Sequence, residues 1–169
     1  ALPLGVQGHP GRRPARGRGR RVPGHGEARL GLEVQVLDAL RLEGLVDDVR
    51  FGSDGLVPAA VTDCASGRLL VLCFMDREAL ERTVAEGLVH LYRRSQGAVQ
   101  KKGATSGHVQ RVREIRLNCD SNCLEVRVDQ EVAVCHAGYF SCFYRRWNAA
   151  TGSWDVVDER IFDPDRVYA

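Results

Sequence analysis

Residues 55–83 read GLVPAAVTDCASGRLLVLCFMDREALERT, and this stretch decides the fold. Val57 to Thr62 and Leu69 to Phe74 are short apolar runs rich in β-branched residues, the composition of strands. Ala65-Ser66-Gly67 supplies turn chemistry between them, so the pair reads as a hairpin. At Met75-Asp76 the period changes. Asp76 is a helix N-cap candidate, Leu80 and Val84 are four residues apart on one helical face, and Gly87 is a stop signal.

Working outward, Leu88 to Tyr92 reads as a strand, followed by a polar stretch from Arg93 to His108, RRSQGAVQKKGATSGH. Val109 to Leu117 and Leu124 to Val128 alternate as strands. Cys135 to Ser141 reads as a loop, with short strands expected at Phe143 to Trp147 and Trp154 to Val157. Hairpin connections around a single convincing helix predict an α+β domain with a mostly antiparallel sheet. Residues 31–44 form a lead-in, with an amphipathic helix expected over 33–43, and residues 148–169 a C-terminal extension packing on the 45–147 domain.

Residues 1–30 are rich in Gly, Pro and Arg and have no hydrophobic period, the composition of a disordered tail. No acid precedes Glu27, whereas Arg12, Arg13, Arg16, Arg18, Arg20 and Arg21 precede it. The net charge of +2 therefore divides into +6 on the tail and 2 − 6 = −4 on the rest. Non-specific nucleic-acid binding and a targeting role compete with a functionally bland tail, and the bland tail is the expectation. No apolar run is long enough to span a membrane. Six cysteines in a chain able to build a core without staples, and without a signal-peptide pattern, predict a reducing, cytoplasmic setting.

The chemical signal lies in Cys119, Cys135 and Cys142. Three thiolates suit tetrahedral zinc and leave a fourth position open, as in a catalytic site. If 118–123 is extended, Cys123 lies about 13 Å from Cys119, too far to share one zinc. A sharp turn at Ser121-Asn122 reopens a closed four-cysteine site, and buried free thiols are a further alternative. On a strand, Asn118, Asp120 and Asn122 would place oxygens on the face opposite Cys119, the donor type magnesium prefers. The same residues are ordinary turn formers. Lys101 and Lys102, with glycines and the hydroxyls of Thr105 and Ser106, suit a phosphorylated ligand, or form a solvated basic loop.

These motifs resemble the phosphoribosyl-AMP cyclohydrolase family. GLVPAAVTD with LLVLCFMDREALERT, HLYRRSQG with KKGATSGHVQRVREIRLNCD, and CHAGYFSCFYRR follow the family's order between Leu45 and Trp147. The resemblance implies a homodimer with zinc and magnesium. Its implied reaction is hydrolysis of the N1–C6 bond of the adenine ring in 1-(5-phosphoribosyl)-AMP, the third step of histidine biosynthesis. It puts zinc on Cys119, Cys135 and Cys142 and magnesium on Asn118, Asp120 and Asn122. His136 and then His108 are the candidate general bases, each with a structural role as the alternative. Lys101, Lys102, Thr105, Ser106 and Arg111 are candidates to hold the two phosphates. The family pattern has aspartate at 118, 120 and 122, usually Glu at 104 and an aromatic at 100. This chain has Asn118, Asn122, Ala104 and Gln100 there. Those departures frame a second expectation, a relative that keeps zinc and nucleotide binding with impaired catalysis. A zinc-stabilised module binding nucleic acid through the arginine tail is a distant third.

Overall fold

The computed structural model describes residues 44–168. The tail at 1–30 and the helix expected over 33–43 lie outside them. Residues 44–47 are helical.

Eight strands and two helices follow in order: β1 (Val57–Asp63), β2 (Leu69–Met75), α1 (Arg77–Glu86), β3 (His90–Arg93), β4 (Ala98–Lys101), β5 (Gln110–Leu117), β6 (Leu124–Gln130), β7 (Arg145–Asn148), β8 (Ser153–Val156) and α2 (Pro164–Val167). The main sheet has the order β2-β1-β6-β5. β1–β2 and β5–β6 are antiparallel, whereas β1 and β6 run parallel. The α+β reading holds, with one parallel pair at the centre of the sheet. The two hairpins β3–β4 and β7–β8 stand outside it.

The expected hairpin is built around Asp63. Its carboxylate accepts hydrogen bonds from Ser66 N–H at 2.8 Å and Ser66 Oγ at 2.5 Å, closing the turn. The helix begins where the N-cap signal stands, with Ala79 N–H donating to Asp76 Oδ1 at 2.8 Å. It ends at Gly87 in the left-handed conformation, φ +64°. Ala79, Leu80, Thr83 and Val84 form its buried face.

That face covers one side of the sheet. Val57, Ala59 and Val61 of β1 and Leu124, Val126 and Val128 of β6 alternate into a core shared with Leu70, Met75, Leu80 and Val89. Each of the Val, Leu and Met side chains contributes about 1.5–3 kcal/mol by leaving water. Under the helix, buried Thr83 donates to Ala79 O at 2.7 Å and accepts from His90 N–H at 2.9 Å, tying α1 to β3. The opposite sheet face is charged, with Glu114, Arg116, Glu125 and Arg127 in ion pairs.

Two local expectations change. The polar stretch after Arg93 is not continuous loop, because Ala98–Lys101 pairs with β3 as a strand. Residues 118–123 are not extended either. Asn118 N–H donates to Cys123 O at 3.0 Å, and Ser121 adopts φ +57°, so the chain reverses there and joins β5 to β6.

Candidate active site

The loop carrying Cys135 and Cys142 is pinned along the outer edge of β2. Cys142 N–H donates to Leu70 O at 2.8 Å, and fully buried Ser141 donates through Oγ to Leu69 O at 2.7 Å. Gln130 Nε2 donates to Phe140 O at 2.7 Å, and Gly138 N–H donates to Cys135 O at 2.9 Å. These bonds fold 135–142 back on itself and bring the two thiols close enough for each to affect the other's ionisation. Cys142 is exposed as a residue, yet protein packed around its sulfur pushes the thiol up to about 11. Cys135 adds to that rise, and Lys102 opposes it. Burial likewise lowers Lys102, against the opposing influence of Cys142. Lys102 therefore links the thiol pair to the basic loop.

Beyond Lys102 opens a cleft of about 130 Å³. Lys101, Lys102, Thr105 and Ser106 line it together with Arg93, Gln100, Ala104, His136 and Tyr168. Its lining holds three cationic side chains and no carboxylate, an arrangement that draws anions. His136 is exposed and faces this cleft and a second one shared with Pro164, Asp165 and Tyr168.

The other candidates lie elsewhere. The ring of His108 packs edge-on against Phe162 with centroids 4.7 Å apart, and its Nδ1 is buried without a hydrogen-bond partner. Arg111 on β5 pairs with Glu131 at 2.8 Å. Neither lines the cleft. Tyr168 was not legible as a site residue, since a lone tyrosine near a chain end has no motif. The Asp163-Pro164 pair, an N-cap followed by proline at the first helical position, was the available signal that this segment is ordered.

Cys119 sits in the β5–β6 turn and is exposed. The asparagines flanking it are bound to each other. Asn118 Oδ1 accepts from Asn122 N–H at 2.8 Å and Cys123 N–H at 2.9 Å, while Asn118 Nδ2 donates to Asn122 Oδ1 at 2.8 Å. Both side-chain carbonyls are thus committed, and Asp120 alone brings a charge, so these residues do not fit a magnesium site. The Cys135–Cys142 pair does fit the soft donor set of zinc. It forms only part of a site, since no three His, Cys, Asp or Glu groups converge on a metal position among the described residues.

A thiol pair near a cationic, carboxylate-free cleft, with an exposed imidazole on its lining, is the class of site an enzyme uses for a phosphorylated substrate. Residues 71–144 match the model of the phosphoribosyl-AMP cyclohydrolase family. The chain is 46% identical over 123 residues to a phosphoribosyl-AMP cyclohydrolase of Pelotomaculum thermopropionicum, covering 73% of this chain and 95% of that one. It is 42% identical over 123 residues to the protein of the same name from Methanococcoides burtonii, covering 73% and 98%. A third such protein, from Haloquadratum walsbyi, is 46% identical over 121 residues, covering 72% and 88%. The chain belongs to the phosphoribosyl-AMP cyclohydrolase family.

Proposed function

We propose that the chain hydrolyses the N1–C6 bond of the adenine ring in 1-(5-phosphoribosyl)-AMP, in histidine biosynthesis. The proposed form is a homodimer in which Cys135 and Cys142 of one copy hold zinc together with Cys119 of the other. The observation that carries this reading is a thiol pair near Lys102, which itself lines a cleft with cations and no carboxylate. The names of the relatives favour an active hydrolase over an impaired relative. The sharing of zinc is supported by the placement of the thiols within one chain, where Cys135 and Cys142 are held in one loop, Cys119 stands on a separate turn, and no three ligand groups converge among the described residues.

The reaction assigns work to each part. Arg93, Lys101 and Lys102 neutralise the phosphates, and Thr105 and Ser106 add hydroxyl donors. Zinc held by the thiols would supply Lewis-acid polarisation beside the attacked carbon. The His136 imidazole, exposed at the junction of both clefts, accepts the proton of the water that attacks C6. The water oxygen bonds to C6, one of its protons goes to the exocyclic imino nitrogen to give the amide NH2, and the other passes to N1 as the C6 carbonyl forms and the N1–C6 bond breaks. No step passes through magnesium, because the asparagine oxygens are already bonded. Six free thiols support a reducing, cytoplasmic setting. Among the described residues no helix is long and apolar enough to cross a membrane.

Mixing two inactive variants tests the arrangement. Cys119→Ala and Cys135→Ala homodimers are each expected to be inactive. Unfolded and refolded together, they form mixed dimers that hold one intact set of ligands, and about a quarter of native turnover returns. If the mixture stays inactive while native protein turns over, the ligands are not shared. If native protein fails to open the ring, the function itself falls.

A further inference from the structure

The segment after β8 belongs to neither the thiol loop nor the basic loop, yet it ends over both. It begins with Val157 N–H donating to Tyr144 O at 3.0 Å. Asp158 is ion-paired with Arg68, and Arg160 lies over the Tyr139 ring at 5.6 Å. Ile161 N–H then donates to Gly138 O at 2.7 Å, in the middle of the thiol loop. Gly138 has φ +90°, and a Cβ there would run into the Phe162 carbonyl oxygen, so strap and loop meet backbone to backbone. Phe162 closes on His108, Asp163 caps the single turn of α2, and Tyr168 N–H donates to Pro164 O at 2.9 Å.

The result of this anchoring is the placement of one side chain. Tyr168 lines the cationic cleft and also the neighbouring one formed with His136 and Pro164. It is the single Phe, Tyr or Trp among the lining residues of both. The first cleft carries the groups suited to phosphate, and the second adds Pro164 and Asp165. His136 and Tyr168 line both, so the ring stands at the border of the phosphate groups. A nucleotide carries matching features, a charged end and a flat apolar base.

Resting on the function proposed above, we infer that Tyr168 is a specificity-determining residue: its ring stacks on the purine while the basic loop holds the phosphates. The strap from 157 to 168 is then part of the binding site. Stacking on an aromatic ring selects for any flat base and is indifferent to the phosphate. Truncating the ring should therefore weaken a base-bearing ligand and spare one that lacks the base.

AMP and ribose 5-phosphate separate those cases by equilibrium titration of zinc-loaded protein. Tyr168→Ala is expected to weaken AMP about tenfold and to leave ribose 5-phosphate unchanged, while Tyr168→Phe keeps native affinity for both. Unchanged AMP affinity in Tyr168→Ala overturns the inference. So does equal weakening of both ligands, which would mean that the strap merely supports the basic loop. Native protein that binds no AMP overturns it too. Ring opening of phosphoribosyl-AMP, followed on the same samples, shows whether the function stands when the role of Tyr168 does not. With the role upheld, Tyr168→Ala raises KM about tenfold with kcat little changed.

Discussion

The loop 135–142 and the turn 118–123 carry the three thiols proposed for one metal, and they are held in opposite ways. The first is fixed by distant parts of the chain: β2 through Leu69 and Leu70, β6 through Gln130, and the C-terminal strap through Gly138. The second is fixed almost wholly by its own side chains, through Asn118 and Asn122, with one outside bond from Arg50 N–H to Ser121 O at 2.6 Å. One loop is therefore as stable as the domain, and its errors propagate into the domain. The other is a local device on an exposed surface, where residues can change without disturbing the core.

On activity the comparison should vanish. Cys135→Ala and Cys119→Ala are each expected to lower kcat/KM at least about a thousandfold, since Lewis-acid polarisation is worth several kcal/mol and each 1.36 kcal/mol is a factor of ten. Zinc content measured beside turnover should fall in both. A Cys119→Ala enzyme that keeps zinc and rate would confine the metal to the first loop.

On stability the two loops should separate. Gly138→Ala combines a left-handed backbone with a collision against Phe162, a strain of about 1–3 kcal/mol that should lower Tm by roughly 5–10 °C. Ser141→Ala removes the hydroxyl partner of the Leu69 carbonyl and of the Phe143 N–H, both half-buried bonds, at a cost of about 1–3 kcal/mol by urea denaturation. If either variant matches native stability, the first loop is less dependent on tertiary contacts than its hydrogen bonds indicate.

The same division explains what could be read from the sequence. The hairpin, the helix with Asp76 and Gly87 as its caps, and the β5–β6 strands follow from local signals, and all stand where those signals place them. The thiols were visible as residue types, but not their separation into a pair and a single. That depends on β1 and β6 running parallel and on loops bonded across the fold. Ala98–Lys101 was missed because AVQK is short and half polar, and its strand exists only through pairing with His90–Arg93. In 118–123 the sequence supports both an extended run and a turn at Ser121-Asn122, and the turn forms because Asn118 accepts backbone N–H groups and reverses the chain. Tyr168 depends on the strap meeting Gly138, which no local pattern encodes.

The smallest effect belongs to the turn, and it decides what the asparagines replace. Asn118→Ala removes bonds that water can substitute at an exposed site, so stability should fall by about 1 kcal/mol or less. Magnesium should leave the Tm of native protein unchanged, because both asparagine oxygens already have partners. The double variant Asn118→Asp with Asn122→Asp reverses this logic. It loses the Asn118 Nδ2 donor and sets three carboxylates, with Asp120, around one short turn. It should be slightly less stable than native protein in chelator. In magnesium at about ten times its Kd, it should regain roughly 1.4 kcal/mol. A native Tm that rises with magnesium by the same amount would show that the asparagine bridge opens for a cation. A double variant indifferent to magnesium would show that the turn cannot gather its oxygens, whatever their charge.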